Sequence, residues 1–179
     1  MPGAFTRTGF HKLFKSAGPA VTPVIHAQDE TQVCRNIDVA LRAGAAGVFL
    51  INHDFPPDEL LPIVRAVRTR YPYLWLGLNF LAVTGLDAFP VLAKLAGEDV
   101  IVDAYWADDA RVDERVDEQT EANAIARLHA GGGWHGLYFG GVAFKKQRPV
   151  EPALYTHSAG LGAELMDVVT TSGIATGEA

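Results

Sequence analysis

Short apolar runs alternate with longer segments of helical periodicity along most of this 179-residue chain. The clearest run, residues 47–52, reads Gly-Val-Phe-Leu-Ile-Asn and is apolar on both faces. A strand in a parallel sheet needs this composition, because helices cover such a sheet. Strand–helix alternation with short connections predicts a parallel sheet with right-handed crossovers. The chain is therefore predicted to belong to the α/β class.

Six strands are predicted, at residues 23–27, 47–52, 74–81, 99–105, 136–144 and 168–171. The first helix follows the capping residue Asp29 and closes at Gly44. The later helices are predicted at residues 58–70, 86–95, 117–130 and within 149–165, with Pro62 held in the first turn of its helix. A short helix at residues 8–17 is expected to cover one end of the sheet. The chain is predicted to be one domain, with residues 1–20 as a cap segment.

Two architectures share this alternation, the (β/α)8 barrel and the doubly wound open sheet. No Gly-x-Gly-x-x-Gly follows the first strand, and polar residues end nearly every strand instead of clustering at one switch point. We therefore predict a TIM-type (β/α)8 barrel that is incomplete here, with about six parallel strands. The missing units favour a piece of a longer barrel. The alternative is that another element covers the last strand, whose free edge would otherwise favour homo-oligomers.

Composition and charge exclude several classes of protein. The net charge of −6 argues against nucleic-acid binding, which needs a basic face. The single cysteine, Cys34, excludes a disulfide framework, and the spacing of His26, His53 and Asp54 matches no standard zinc signature. We expect no metal and no cofactor. Neither a membrane span nor a secretion signal is visible, so a soluble cytoplasmic protein is expected.

Polar residues at the carboxyl ends of the predicted strands are the candidates for function, because barrel enzymes carry their chemistry there. Imidazole and carboxylate groups move protons, and a lysine binds anions. The predicted catalytic residues are His26, Asp54, Asp103 and Lys145, and the predicted substrate- or anion-binding residues are Asn52, Asn79, Ser172, Gly173, Thr176 and Gly177. The last four belong to a glycine turn whose N–H groups suit a phosphate or carboxylate.

Structural roles are open for several of these side chains. Asp54 could cap the following helix, and Asn52 and Asn79 could satisfy backbone groups of their loops. Asp103 could form an ion pair with a lysine such as Lys145. The convergence of different polar types on one rim favours a functional site.

Five segments, taken in order, carry a resemblance to a known family: residues 23–26, 47–56, 77–81, 142–146 and 167–177. They resemble the BtpA/SgcQ family, which is named for a photosystem I biogenesis protein. The resemblance implies an eight-stranded TIM-type barrel, with His26, Asn52, Asp54, Asn79, Lys145 and Ser172 on its rim. The chain departs from the family at Gly141 and Ala143, where Asp and His are expected, and at Asp103 and Tyr105, where Arg and Asn are expected.

These patterns favour an enzyme that acts on a small anionic metabolite, such as a phosphorylated sugar or a nucleoside-like compound, by acid–base chemistry. The alternative is a non-catalytic assembly or stability factor that uses the barrel as a scaffold. An open pocket at the rim would favour the enzyme, and a mouth filled by side chains would favour the scaffold.

Overall fold

The computed structural model describes residues 8–10, 12, 21–145 and 147–173. The strands are β1 (Val24–Ala27), β2 (Val48–Asn52), β3 (Leu76–Phe80), β4 (Ala104–Ala107), β5 (Leu137–Gly141) and β6 (Val168–Thr170). The helices between them are α1 (Glu30–Arg42), α2 (Pro57–Arg70), α3 (Gly85–Gly97), α4 (Thr120–Gly131) and α5 (Tyr155–Leu165). A short 3-10 helix, Pro152–Leu154, precedes α5.

The strands form one parallel sheet in the order β1-β2-β3-β4-β5-β6. This confirms the predicted α/β class with a parallel sheet. The order never reverses, so these strands contain no topological switch point. Right-handed crossovers in such an order place all helices on one face, and the neighbouring pairs α1–α2, α3–α4 and α4–α5 are in contact. No pairing joins β6 to β1 among the described residues, so closure into a barrel stays a prediction.

Alternating residues of the strands enter two separate hydrophobic clusters. In β2, Val48 and Leu50 pack with the helices, whereas Phe49 packs on the opposite face with Trp75 and Phe139. We call the set around Phe49, Trp75 and Phe139 the inner cluster. Burial on both faces explains why β2 is a continuous apolar run.

The predicted N-terminal helix is described only in part. Residues 8–10 and 12 are helical, and the rest of the predicted helix at 8–17 lies outside the described residues. Phe10 is buried in the inner cluster, with its ring 6.0 Å from that of Trp75 and 5.3 Å from that of Phe139. This side chain therefore covers part of the sheet face that the helices leave open.

Helix α1 begins and ends as its sequence predicts. The Asp29 carboxylate accepts a hydrogen bond of 2.8 Å from the backbone N–H of Gln32, which caps the helix. Gly44, just beyond the last turn, has a φ of 87°, a conformation that glycine adopts without strain.

Helix α2 starts at Pro57, one residue before the predicted start, but Pro62 lies in the helix interior and not in the first turn as predicted. The predicted start of the fourth strand is wrong. Strand β4 starts at Ala104, five residues after the predicted start at 99. The residues before it complete the end of α3, since Asp99 has a φ of 60° and the Val100 N–H donates to the Leu95 carbonyl.

Within the part of the chain that is described, no helix has the length and apolar character to cross a membrane.

Candidate functional site

A cavity of about 280 Å³ lies where β3, β4 and β5 end. We call it the rim cavity. It is lined by Leu81, Ala82, Val83, Thr84, Asp108, Asp109, Arg111, Lys145 and Gln147. Two carboxylates, two cationic side chains and one amide thus border a single small space. Parallel strands bring these groups together because their carboxyl ends meet at the same edge of the sheet.

Hydrogen bonds fix the position of the Asp108–Asp109 pair. Asn79, which is 2% exposed, donates from Nδ2 to Asp108 Oδ1 over 2.9 Å. Gln147 Nε2 lies 3.1 Å from both the Asp108 carbonyl and Asp109 Oδ1, and 3.0 Å from the Gly141 carbonyl. The carboxylates are therefore held by neighbouring strands and loops rather than by flexible contacts.

Gly141 allows β5 to approach the end of β4. A Cβ atom at this position would collide with the carbonyl oxygen of Asp108. The aspartate that the family resemblance leads one to expect at position 141 does not fit against this backbone. The glycine at position 141 therefore allows the backbone of Asp108 to lie where it does.

Lys145 and Ser172, both predicted site residues, are brought together. The Lys145 backbone N–H donates to Ser172 Oγ over 2.9 Å. Beside this bond, the Thr171 hydroxyl donates to the Ala143 carbonyl over 3.1 Å. The loop after β5 is therefore anchored to the end of β6, and Lys145 in this loop lines the rim cavity. Gly173 follows directly, whereas Thr176 and Gly177 lie outside the described residues.

Strained backbone also concentrates around the rim cavity. Among the described residues, four other than glycine have a positive φ, namely Ala82, Asp99, Arg111 and Ala143. Ala82 and Arg111 line the cavity, and Ala143 lies two residues before Lys145. Such conformations are unfavourable for residues with a Cβ and cluster at functional sites. Their position here indicates that the loops are held in a specific geometry.

Arg111 is oriented by carboxylates. Its Nη1 lies 3.4 Å from Asp109 Oδ2, and its Nε lies 3.5 Å from Glu121 Oε2. The side chain is 48% exposed, so it borders both the cavity and solvent. It can therefore meet an anion that enters the cavity from outside.

The predicted residues His26 and Asp54 both contact His53, where β1 and β2 end. The rings of His26 and His53 stack with centroids 5.0 Å apart and planes 10° apart. His53 Nδ1 lies 3.1 Å from Asp54 Oδ1, and these side chains are 51% and 75% exposed. His26 and Asp54 do not line the rim cavity. In the described ranges, no group of three or more His, Cys, Asp or Glu residues is arranged to hold a metal ion.

Asn52 makes structural hydrogen bonds at both ends of its amide. Its Nδ2 donates to the Phe55 carbonyl over 2.8 Å, and its Oδ1 accepts from the Leu81 N–H over 2.9 Å. Because Leu81 lines the rim cavity, Asn52 supports the wall of the cavity through the backbone.

The expected place of Asp103 on the rim is wrong. Since β4 begins at Ala104, Asp103 lies at the amino end of that strand, away from the rim cavity. Its carboxylate accepts from Arg68 Nη2 and from the Leu76 N–H, each over 2.9 Å, and it is 3% exposed. Burial raises the pKa of Asp103, although the Leu76 N–H and the Arg68 guanidinium oppose this shift. Its ion-pair partner is Arg68 and not Lys145.

Four residues of the rim cavity were not predicted from the sequence, namely Asp108, Asp109, Arg111 and Gln147. The run Ala-Tyr-Trp-Ala at residues 104–107, followed at once by Asp-Asp, is the signal that could have identified the two aspartates. The fourth strand was predicted at residues 99–105, so Asp108 and Asp109 did not stand directly after its predicted end. No comparable pattern marks Arg111 or Gln147, which reach the cavity through loop geometry.

A second cleft, of about 300 Å³, lies between α1 and α2 and is lined by three arginines, Arg35, Arg42 and Arg70. Two acidic residues, Glu30 and Asp38, line the same cleft. It lies on the helix layer, and none of its lining residues is shared with the rim cavity. Its arginines make it one competitor of the rim cavity for anions.

No protein-family model matches the chain, and the curated proteins include no match. The resemblance to the BtpA/SgcQ family therefore stays a prediction.

Proposed function

We propose that this chain is an enzyme that binds a small anionic metabolite in the rim cavity and transforms it by acid–base chemistry. The substrate class that fits best is a phosphorylated sugar or a related phosphate ester. The observation that carries this proposal is that Lys145 and Arg111 line the same cavity as Asp108 and Asp109.

The four charged groups divide into two chemical roles. The ammonium group of Lys145 and the guanidinium group of Arg111 attract and orient an anion, and the guanidinium suits two oxygens of one phosphate. Asp108, oriented by Asn79, is the candidate to exchange a proton with the substrate. A volume of about 280 Å³ suits a metabolite smaller than a typical drug.

The fold supports this location. Sequential parallel strands with helices on one face are the arrangement of a TIM-type barrel, and such barrels carry their active sites at the carboxyl ends of the strands. We place His26 and Asp54 on the same rim, as a second pair of proton-transfer candidates near β1 and β2. In this proposal the chain works in the cytoplasm.

Calorimetric titration with a panel of phosphate monoesters tests the proposal. We expect saturable binding of at least one ester, and a loss of at least about tenfold in affinity for Lys145→Ala, since a charge-assisted contact is removed. Lys94→Ala is the matched control, because Lys94 is exposed on α3 and does not line the cavity. Equal affinity in wild type and Lys145→Ala would contradict the proposal.

The enzymatic part needs a separate test. With an ester that binds, Asp108→Asn is expected to keep binding and to lower turnover by at least about a hundredfold, as general acid–base residues typically do. Binding without any turnover in the wild type would favour the alternative, a non-catalytic assembly factor. One observation favours that alternative. Gly141 and Ala143 stand where the family resemblance leads one to expect Asp and His.

A further inference from the structure

Three buried polar atoms on the inner face of the sheet have no hydrogen-bond partner among the residues that the structure describes. They are Asn79 Oδ1 in β3, Trp106 Nε1 in β4 and Thr170 Oγ1 in β6. Native proteins pair the large majority of buried polar atoms, because an unpaired one has lost its water without compensation. Three such atoms on one face point to a common polar partner.

The strand pairing places two of these atoms side by side. Leu78 pairs with Tyr105, so the next residues, Asn79 and Trp106, are neighbours across β3 and β4. Trp106 packs against the inner cluster, with its ring 5.7 Å from that of Phe49. Gly77, two residues before Asn79, also faces Phe49, whose ring a Cβ there would strike. Alternation along each strand therefore puts Asn79 and Trp106 on the same face.

This pair lies next to the rim cavity. Asn79 donates from its other amide atom to Asp108, which lines the cavity, and Asp108 follows Trp106 by two residues. Thr170 lies on the other side of β5, in β6. It pairs with Gly141, and the Gly141 carbonyl accepts a hydrogen bond from the cavity residue Gln147. The three unpaired groups thus adjoin residues that line the rim cavity, and Thr170 itself lines a neighbouring cavity together with Ser172.

We infer that the ligand of the rim cavity carries a hydroxyl group that binds between Asn79 Oδ1 and Trp106 Nε1, with Thr170 as a further partner. A hydroxyl both donates and accepts, so it satisfies the carbonyl oxygen of Asn79 and the N–H of Trp106 at once. The inference rests on the proposed function and narrows its substrate class to phosphorylated polyols and sugars.

The test compares two ligands of equal charge and similar size, glycerol 3-phosphate and propyl phosphate, by calorimetric titration of the full chain. Wild type is expected to bind glycerol 3-phosphate at least about tenfold more tightly, because only this ligand offers hydroxyls. Trp106→Phe keeps an aromatic ring but removes the N–H, and it is expected to abolish this preference while leaving the affinity for propyl phosphate unchanged. Thr170→Val is a second variant, expected to reduce the preference.

Thermal unfolding of the ligand-free variants provides the folding control. Trp106→Phe is expected to keep or raise the midpoint, because it removes a buried donor that has no partner. Equal affinity of wild type for the two ligands, or a preference that survives in both variants, overturns the inference but leaves the proposed function standing. If neither ligand binds, the inference fails, whereas the proposed function fails only if no ester of the wider phosphate monoester panel binds.

Discussion

Arg68 and Asp103 form the most enclosed charged pair in the described part of the chain. Arg68 is 7% exposed and also donates to the carbonyls of Leu74 and Ile101, besides its bond to Asp103. The pair joins α2 to the amino ends of β3 and β4. At this scale the charged groups differ in role by location: Arg68 and Asp103 hold the sheet together at the amino ends, whereas Asp108 and Asp109 border the rim cavity at the carboxyl end of β4.

Asp103→Asn is expected to lower the free energy of unfolding by about 3–5 kcal/mol, because it leaves the buried Arg68 without its counter-charge. Urea denaturation measures this value. The control is Glu98→Gln in the Arg65–Glu98 pair, whose side chains are 38% and 36% exposed. That change should cost less than about 1 kcal/mol. Similar losses in both variants would contradict the structural role of Asp103.

Tyr71 gives a prediction about alkaline pH. Burial, and then its hydrogen bond to Asp38, raise the pKa of Tyr71 from 10.0 to about 12. The folded state thus keeps the phenol proton where the unfolded state has lost it, and this contribution to stability falls as pH rises from 10 through about 12. The difference in unfolding free energy between wild type and Tyr71→Phe should therefore shrink over that interval. A difference that is constant with pH would contradict this reading.

At the scale of elements, the contact between β5 and the end of β4 depends on a glycine. Gly141→Ala is expected to lower the free energy of unfolding by about 1–3 kcal/mol, because the added methyl group collides with the Asp108 carbonyl. The control is Gly160→Ala in α5, where nothing lies near the added Cβ, and it should be neutral or stabilising by up to about 1 kcal/mol. Urea denaturation of both variants measures their free energies of unfolding. Equal values for the two variants would contradict the predicted collision.

Helix α1 provides a second comparison between elements. Asp29→Ala should destabilise the chain by about 1 kcal/mol, since the cap to the Gln32 N–H is lost. Thr84 occupies the same position before α3 but makes no capping bond with its side chain. Thr84→Ala should therefore change the unfolding free energy by less than about 0.5 kcal/mol. A loss at Thr84 as large as that at Asp29 would contradict the assigned cap.

The same elements show how far the sequence alone leads. The α1 cap and the buried strand β2 were predictable, because a capping residue and a continuous apolar run are local signals. The start of β4 was not, because Val100 and Val102 look like strand residues although their segment completes the turn after α3. Because β4 begins five residues later than predicted, Asp103 lies before the strand and Asp108 follows it directly. The sequence prediction therefore placed Asp103 on the rim and did not include Asp108. Arg111 and Gln147 enter the site through long-range contacts that no local pattern encodes.

At the scale of the whole molecule, the proposed site depends on the sequential order of six parallel strands. This order gathers the loops after β3, β4 and β5 at one end, where the charged residues surround the rim cavity. The opposite end holds the Arg68–Asp103 pair. The three-arginine cleft between α1 and α2 is another place where an anion could bind. The proposed function requires that an anionic ligand bind the rim cavity more tightly than this cleft.

Residue-resolved NMR of the backbone amides during titration with glycerol 3-phosphate tests that claim most directly. We predict saturable shifts that are largest in residues 81–84, in residues 108–111 and at Lys145, and the same titration of Lys145→Ala should give weaker binding. Saturable shifts centred on Arg35, Arg42 and Arg70, or no saturable shifts at all, would contradict the account.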